Sequence, residues 1–390
     1  MDMCAGNTGG LTYMKASIFL EEVRNIGIHT IAGVPDSTLK QFCDAVCMDG
    51  GKEFDHYVTA NEGAAVGLAT GVYLAEKRPC LVYLQNSGLG NIINPLASIA
   101  NQEVYGIPML FVVGWRGEPG IKDEPQHVYQ GKVTCELLEV MDVPYSVIDA
   151  ATSDSQLRNI FDNVRRQMED NRQYAIVVKK GTFEKECAFT WANGYDLVRE
   201  QALRTILEQV YNDSYIVSTT GKISRELYEQ SDALYGNHDR LFMTVGGMGH
   251  ASMIAYGMAQ ADENRRIVCI DGDGAAMMHM GALAFLAKQS PKNYLHIVIN
   301  NAAHESVGAM PTGYSGQTYS QIAQACGYLS TYLVKTEAEL ETALVDARNR
   351  SELSMIEVMT ALDSRADLGR PKESARENRI SFMDAYHKAE

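Results

Sequence analysis

The stretch RIVCIDGDGAAMMHMGALAFLAKQSPKNYLHIVINNAAHES, residues 266–306, decides the fold of this chain. A short apolar run leads into the turn Gly272-Asp273-Gly274, a helix-like stretch follows, and a second apolar run ends in two asparagines. Runs of these lengths are typical of two parallel strands joined by a crossover helix. The turn also exposes backbone amides at the start of the helix, beside the Asp273 carboxylate, which suits a metal-bridged phosphate.

The same alternation of strand-like and helix-like stretches occurs in both halves, so we predict an α/β fold with two doubly wound parallel-sheet domains. The first domain spans residues 14–180, a linker covers 181–197, the second domain spans 198–370, and 371–390 form a C-terminal tail. Predicted strands lie near residues 29–32, 56–58, 80–84, 108–113, 175–178, 215–218, 241–244, 267–270, 296–299 and 355–358. Predicted helices lie near residues 15–25, 38–48, 62–76, 91–103, 154–169, 199–211, 222–234, 251–259, 275–288, 319–326 and 337–348.

Composition and charge argue against several classes of protein. The chain has 390 residues, 46% hydrophobic and 21% charged, which is the usage of a folded globular protein rather than a disordered or fibrous one. The net charge of −15 argues against nucleic acid or an anionic membrane as the main partner. No uncharged apolar stretch is long enough to cross a membrane, and the first residues lack the pattern of a secretion signal. The cysteines are scattered without metal spacing, which indicates reduced thiols, so we expect a cytoplasmic protein.

Asp273 and Asn301 follow neighbouring predicted strands, so they are expected to face each other at one edge of the sheet. The stretch from Ala275 to Ile299 has the length of one helix and one returning strand. A carboxylate, an amide oxygen and a backbone carbonyl would leave positions of an octahedral Mg²⁺ for phosphate oxygens and water. The sequence therefore predicts a Mg²⁺-bridged phosphate site.

A GDG turn followed, one helix and one strand later, by NN resembles the signature of the thiamine-diphosphate enzymes. The resemblance implies three Mg²⁺ ligands, namely Asp273, Asn301 and the carbonyl of Ala303. It also implies that the turn lines the diphosphate through Gly272, Gly274 and Ala275. The implied architecture is the thiamine-diphosphate-binding fold, with a pyrimidine-binding domain first and a diphosphate-binding domain second.

The segment TANEGAAVGLATG, residues 59–71, opens a helix of small residues directly after a predicted strand. An isolated glutamate at a helix start is ordinarily a partner of the helix dipole. The position of Glu62, after Asn61, nevertheless resembles that of the catalytic glutamate of thiamine-diphosphate enzymes. By this resemblance Glu62 shares a proton with the aminopyrimidine ring of the cofactor, and burial would keep the carboxyl partly protonated.

The motif GGMGHA, residues 246–251, admits a dinucleotide-binding alternative, an NAD-dependent oxidoreductase. Ser252 stands at the third small-residue position of that fingerprint, however, and no acidic ribose contact follows. The resemblance instead implies that Met248 bends the cofactor, and that the carbonyl of Gly246 and the amide of Met248 bind the pyrimidine edge. The motif STTGK follows another predicted strand and supplies further diphosphate neighbours: Thr219, Thr220, Gly221 and Lys222. A solvated helix start is an equal alternative for Lys222.

Length and domain order select a branch of this family. Acetolactate synthases, pyruvate decarboxylases and benzoylformate decarboxylases carry a third domain, for which this chain has no room, and transketolases place the metal motif first. The chain is similar to the compact phosphonopyruvate and sulfopyruvate decarboxylases from about Met14 to Pro371. The phrases that match the phosphonopyruvate branch are GVPDS, NEGAAVGLATG, QNSGLGN, WRGEPGIKDEPQH, STTGK, NNAAHESVG and SRADLGRP.

The implied reaction is the nonoxidative decarboxylation of 3-phosphonopyruvate to phosphonoacetaldehyde and CO₂, dependent on thiamine diphosphate and Mg²⁺, in phosphonate biosynthesis. Sulfopyruvate decarboxylase is an alternative, because sulfonate and phosphonate differ by one charge and little in shape. A noncatalytic cofactor-binding subunit is another, against which Glu62 argues. This family forms its active sites between subunits, so we expect a homodimer or larger homo-oligomer that binds a small anionic 2-oxoacid.

Further candidate residues would move protons or bind the substrate. Asp36, His127 and His304 are expected in strand-end loops within reach of the cofactor. Which side chain protonates the product before release stays open, because Val307 stands where some pyruvate-type relatives carry an acidic residue. Donors for the phosphonate are Ser87, Asn91, Arg116, Lys122, Arg365 and Arg370. The segment that carries the last two is expected to close over the site as a lid.

Overall fold

A computed structural model describes residues 13–307, 309–312, 318–362 and 364–388. The chain divides into two compact units, one ending at Thr190 and the other beginning at Trp191. This boundary lies in residues 184–198, a fully described stretch that forms no helix or strand.

The first unit contains a six-stranded parallel sheet. Its strands are β1 (Thr30–Gly33), β2 (Asp55–Val58), β3 (Cys80–Gln85), β4 (Met109–Gly114), β5 (Tyr145–Ile148) and β6 (Tyr174–Val178). Its α-helices are α1 (Ala16–Asn25), α2 (Lys40–Asp49), α3 (Glu62–Glu76), α4 (Leu89–Pro95), α5 (Pro125–Val140) and α6 (Asp154–Glu169). The strand order is β2-β1-β3-β4-β6-β5. Strands β4 and β6 are buried along their whole length, because helices cover both faces of a parallel sheet.

The second unit contains another six-stranded parallel sheet and a short antiparallel pair. Its strands are β7 (Ser214–Ser218), β8 (Leu241–Met243), β9 (Arg266–Gly272), β10 (Tyr294–Asn300), β11 (Ala303–His304), β12 (Met310–Pro311), β13 (Ser330–Val334) and β14 (Ser354–Met359). Its α-helices are α7 (Arg199–Val210), α8 (Lys222–Tyr235), α9 (Ala251–Ala261), α10 (Asp273–Met278), α11 (Gly281–Gln289), α12 (Tyr319–Cys326), α13 (Glu337–Arg350) and α14 (Ala375–Lys388). The large sheet runs β13-β14-β10-β9-β7-β8, and β11 pairs with β12.

Both large sheets follow one strand order. Leaving the short β11–β12 pair aside, each order reads second, first, third, fourth, sixth and fifth strand of its unit. The chain moves outward in opposite directions from the first and third strands, so each sheet has a switch point between β1 and β3 or between β7 and β9. Residues that follow these strands are therefore placed to bind ligands. The predicted fold class, two doubly wound α/β sheets, is confirmed.

Several elements depart from the sequence-based prediction. The patterns do not predict β5 or β13, which are partly exposed edge strands whose polar residues interrupt the apolar runs. They also do not predict α5, or α14 in the C-terminal tail. The single helix predicted near residues 275–288 is instead α10 and α11, because the backbone leaves the helical conformation at His279 (φ −130°, ψ 43°).

Helix α14 covers β8, which is an edge strand of the second sheet. The Asn378 side chain donates from Nδ2 to the carbonyl of Leu241 (2.9 Å) and accepts at Oδ1 from the amide of Met243 (3.1 Å). Phe382 is buried and packs edge-on against Tyr215. The helix therefore pairs polar groups that an edge strand would otherwise leave open, and it belongs to the core of the second unit.

Local signals fix where several helices begin. In the described residues, capping boxes start four of them, with Ser153, Thr318, Thr336 and Ser374 as the capping residues. None of the helices that the structure describes is long and apolar enough to cross a membrane.

Candidate active site

A cleft lies at the carboxyl ends of β7, β9 and β10 in the second unit. It brings together most of the cofactor, metal and catalytic residues predicted in this half of the chain: Thr219, Thr220, Gly221, Lys222, Met248, Gly272, Asp273, Gly274, Ala275, Asn301, Ala303 and His304. Gly246, two residues before Met248, is not among the lining residues. Residues outside the predicted set also line the cleft, namely Arg199, Ile223, Ile299 and Glu305.

One side-chain oxygen of Asp273 and one of Asn301 meet at the backbone amide of Ala303 in the cleft. Asp273 Oδ2 and Asn301 Oδ1 each accept a hydrogen bond from the amide of Ala303, both at 3.1 Å. Burial raises the pKa of Asp273 to about 7, although backbone amides, including that of Gly274, oppose the shift. Carboxylate and amide oxygens are the ligands that Mg²⁺ prefers, so this donor set fits a hard divalent cation.

Two glycines keep the backbone of the cleft accessible. A Cβ at Gly274 would lie 3.0 Å from the His304 ring and 3.3 Å from the Met248 Cε. Gly221 precedes α8 with a φ of 97°, a region that favours glycine. The start of α8 therefore borders the cleft, and the free amides of a helix start suit phosphate oxygens. The residues present fit a diphosphate bridged by Mg²⁺.

A buried network of charged side chains flanks the cleft. Arg199 is 3% exposed, donates to Glu226 from Nε (2.8 Å) and Nη2 (2.6 Å), and donates to Glu305 from Nη1. Lys222 donates to the other oxygen of Glu305 at 2.9 Å. Burial would raise the pKa of Glu305, but Arg199 and Lys222 hold it below its usual value. Glu305 is thus an ionised carboxylate fixed between two cations.

Sequence reasoning misses this network. Arg199 and Glu226 stand in helix-like stretches, where a charged residue is ordinarily solvated. The contact between Arg199 and Glu305 joins residues 106 positions apart, so no local spacing reveals it. The available signal is the position of Glu305 directly after His304, in the loop that follows the predicted metal ligands.

The segment predicted as a lid contacts the second unit beside the cleft. Ser364 accepts a hydrogen bond at Oγ from the Lys222 ammonium at 2.6 Å. Arg365 donates to Glu200 at 2.9 Å and also pairs with Glu229. Arg365, a predicted phosphonate donor, is thus held by carboxylates and is not among the residues that line the cleft.

In the first unit, Glu62 is the first residue of α3 and is 4% exposed. Asn61 caps the helix by accepting from the Ala64 amide at 2.9 Å. Asn91 donates from Nδ2 to Glu62 at 2.7 Å, and a Cβ at Gly88 would overlap the Glu62 carboxylate. Burial raises the pKa of Glu62, and the hydrogen bond from Asn91 opposes this rise. Asn91, predicted to bind substrate, therefore contacts the predicted catalytic carboxyl.

Asp36 lies after β1 and is fully buried. Its Oδ1 accepts from Gln85 Nε2 at 2.6 Å and its Oδ2 from the Thr38 amide at 3.1 Å. Ser87 donates to the side-chain oxygen of Gln85 at 2.7 Å. Burial raises the pKa of Asp36, against these hydrogen bonds and the charge of Arg116. Residues that follow β1 and β3 therefore meet at the switch point of the first sheet.

The two candidate histidines are neutral near pH 7; His304 is buried and His127 is partly buried. His127 lies in the first turn of α5, not in a loop as predicted, because Pro125 begins a helix there. Burial lowers the pKa of His127 to about 4, with a further contribution from Arg116, and burial lowers the pKa of His304 to about 4. Within the described part of the chain, His127 Nδ1 and His304 Nε2 have no hydrogen-bond partner.

The other predicted phosphonate donors lie in two surface segments. Arg116 donates to Asp123 from Nε at 2.8 Å and to Ser37 from Nη1 at 3.0 Å. The Arg116 guanidinium holds the pKa of Asp123 well below its usual range. Lys122 and Arg370 are exposed. Their roles in substrate binding stay predictions.

Two family models match the chain. Residues 15–137 match the thiamine pyrophosphate enzyme N-terminal TPP binding domain, and residues 230–358 match the C-terminal TPP binding domain. The first match contains Glu62, and the second contains Met248, Asp273 and Asn301. The two matches define the class, a thiamine-diphosphate-dependent enzyme, and they argue against the dinucleotide alternative for residues 246–251.

Individual relatives narrow this class. The chain is 33% identical to a phosphonopyruvate decarboxylase of Streptomyces hygroscopicus, over 95% of this chain and 94% of the relative. It is 32% identical to a phosphonopyruvate decarboxylase of Streptomyces viridochromogenes, over 90% of both chains. A sulfopyruvate decarboxylase of Methanosarcina acetivorans is 28% identical, over 87% of this chain and 89% of the relative. The chain belongs to the compact family of thiamine-diphosphate-dependent 2-oxoacid decarboxylases that contains the phosphonopyruvate decarboxylases.

Proposed function

We propose that this decarboxylase converts 3-phosphonopyruvate to phosphonoacetaldehyde and CO₂, with thiamine diphosphate and Mg²⁺, as a step of phosphonate biosynthesis. The observation that carries the metal assignment is the convergence of the Asp273 and Asn301 oxygens on the Ala303 amide, in a cleft bordered by the start of α8. The substrate assignment is supported by the two Streptomyces relatives, which match over nearly their whole length.

The second unit offers the groups that would hold the cofactor. Asp273, Asn301 and the carbonyl of Ala303 would bind Mg²⁺, and the remaining predicted cleft residues would surround the diphosphate. Bound thiamine diphosphate supplies a nucleophilic carbon and a sink for the electron pair that CO₂ leaves behind. Met248, which lines the cleft and reaches towards Gly274, would shape the space for the rings.

The first unit offers the proton-transfer group. Glu62 is buried, and the raised pKa favours the protonated carboxyl, which can release its proton to a polar partner. Asn91 fixes the orientation of this carboxyl through its hydrogen bond to Oε2. His127 and His304 are neutral, so each can accept or donate one proton at its unpaired ring nitrogen.

Recognition of the phosphonate requires a cation that can change partner. Arg116 holds Asp123 through two guanidinium nitrogens, and a phosphonate offers the same pair of oxygens with more charge. We propose that the substrate competes with Asp123 for Arg116, whereas Ser87, Lys122, Arg365 and Arg370 remain secondary candidates.

Assembly as a homodimer or larger homo-oligomer is part of the same proposal, as the family resemblance implies.

Rates with three keto acids test the function. Phosphonopyruvate, sulfopyruvate and pyruvate are each incubated with the protein, with and without thiamine diphosphate and Mg²⁺, and CO₂ release is followed. We expect the highest kcat/KM for phosphonopyruvate and no turnover without the cofactor. A higher kcat/KM for sulfopyruvate would assign the second candidate function, sulfopyruvate decarboxylation, which the Methanosarcina relative favours.

A further inference from the structure

We propose that Glu357 is a positioning residue for the metal loop, defined as residues 300–303, and that it acts through Asn300. The inference rests on the proposed Mg²⁺ site, because the metal loop contains Asn301 and Ala303. Glu357 lies on β14, next to β10, and is fully buried. It does not line the cleft, so it has no part in holding the cofactor directly.

Both partners of Glu357 donate hydrogen bonds. Asn300 donates from Nδ2 to Oε1 at 2.7 Å, and the amide of Ser320, at the start of α12, donates to Oε2 at 2.9 Å. A buried carboxylate is costly unless it is hydrogen-bonded, and these two donors satisfy one oxygen each. Residue 357 therefore has to offer two acceptor oxygens, one to each donor. A glutamate carboxylate has two such oxygens, whereas a glutamine amide has one.

The hydrogen bond to Glu357 decides which way the Asn300 amide faces. With Nδ2 directed at Glu357, Asn300 Oδ1 accepts from the Ala302 amide at 2.9 Å. Ala302 has a φ of 57°, a left-handed conformation that a residue with a Cβ rarely adopts without support. Asn301 and Ala303 flank Ala302, so its conformation sets the direction of the two predicted metal ligands that the loop supplies.

Replacing Glu357 by glutamine creates a conflict that the neighbouring groups cannot remove. With its oxygen on Asn300, the introduced glutamine leaves its NH₂ group against the Ser320 amide, and the start of α12 loses its acceptor. With its oxygen on the Ser320 amide, its NH₂ group faces the NH₂ group of Asn300. Asn300 can turn over to accept from it, but its own NH₂ group then faces the Ala302 amide, and the loop loses its support. The variant E357Q should therefore weaken Mg²⁺ binding although residue 357 does not touch the metal.

A second substitution should repair the conflict. In the double variant E357Q/N300D, the introduced aspartate accepts from the NH₂ group of the introduced glutamine and from the Ala302 amide, while the glutamine oxygen accepts from the Ser320 amide. Every hydrogen bond is restored, and the pair still carries one negative charge. The single variant N300D places two carboxylates against each other and should also weaken Mg²⁺ binding.

The experiment measures Mg²⁺ affinity by calorimetry on the intact protein in saturating thiamine diphosphate, together with Tm. We expect a Kd for Mg²⁺ that is about 10- to 100-fold higher in E357Q, as for other changes behind a metal ligand, and wild-type affinity in E357Q/N300D. Ile356→Val is the matched control, because Ile356 is a buried core neighbour on the same strand that faces away from this contact. It should lower Tm and leave the Mg²⁺ affinity unchanged.

Two results would overturn the inference alone: an unchanged Mg²⁺ affinity in both E357Q and N300D, or a double variant as weak as N300D. Mg²⁺ affinity that falls equally in Ile356→Val would also overturn it, because a general loss of stability would then account for the effect. A wild-type protein that binds thiamine diphosphate without Mg²⁺ would overturn the proposed metal site together with this inference.

Discussion

Replacing Glu62 by glutamine removes one titratable proton from the proposed site and little else. Glutamine has the same shape, so it fits against Gly88 and can still accept the 2.7 Å hydrogen bond from Asn91. The predicted diphosphate and metal contacts lie in the second unit and are not changed. A positioned acid or base contributes about 10²- to 10⁴-fold to a rate, so kcat should fall by about that factor with little change in cofactor affinity.

The assay follows CO₂ release at saturating phosphonopyruvate, thiamine diphosphate and Mg²⁺, with cofactor affinity measured separately by calorimetry. Glu76→Gln is the matched control, because Glu76 ends the same helix but is exposed. It should retain the wild-type rate. A Glu62→Gln variant with near wild-type kcat would refute the assignment of Glu62 as the proton-transfer group, and so would equal losses in both variants.

Glu62→Gln, which should lower kcat, should also raise the stability of the folded protein relative to wild type as pH rises. Burial raises the pKa of Glu62 in the folded protein above its unfolded value. The stability contributed by the protonated carboxyl is therefore fully present below the unfolded pKa and is lost as pH rises through the folded pKa. Glutamine has no such loss, so the Tm of Glu62→Gln relative to wild type should increase from pH 5 to pH 8. A Tm difference that shrinks over this range would contradict the reasoning.

Three further outcomes follow from the second unit. Gly274→Ala places a Cβ 3.0 Å from His304 and 3.3 Å from Met248, so this crowding should make the free energies of folding and of cofactor binding less favourable by about 1–3 kcal/mol. Tm and cofactor affinity measure this loss, and unchanged values for both would show that the cleft is looser than described. Phe382→Ala empties a buried position against Tyr215 and should lower the free energy of unfolding by about 3–5 kcal/mol in urea titrations, whereas a loss below about 1 kcal/mol would mean that α14 is weakly attached. Removing Mg²⁺ with EDTA should release thiamine diphosphate, detected after gel filtration, and adding Mg²⁺ should restore activity; full retention of the cofactor would argue against the metal bridge.

The parts of the site that the sequence predicts are those fixed by local chain geometry. Asp273 and Asn301 are joined by one helix and one strand, and a right-handed crossover brings such residues to the same sheet edge. Glu62 follows a strand directly and begins a helix, so its place at the sheet edge is also a local property. These residues lie where the alternation of strands and helices predicts them.

The parts that the sequence does not predict depend on contacts between distant residues or on competing partners. Asn91 meets Glu62 across 29 positions, and no local pattern marks this pair. By residue type Arg116 is a strong candidate for binding the phosphonate, but its guanidinium is already hydrogen-bonded to a neighbouring carboxylate, Asp123. The α14 helix is missed for a related reason. Its residues are largely exposed, and it is held by contacts of Asn378 and Phe382 with strands more than 130 positions earlier.

The position of α14 also has a consequence for biosynthesis. Strand β8 is synthesised well before α14, and the Asn378 amide that closes its open edge follows the β8 residue it contacts by 137 positions. Until residue 378 has been synthesised and α14 has docked, the nascent second unit presents an unpaired strand edge, and such edges recruit other chains. Ribosome stalling or premature termination before residue 375 would therefore yield an aggregation-prone product, and the cell would handle it as a substrate for chaperones and proteases.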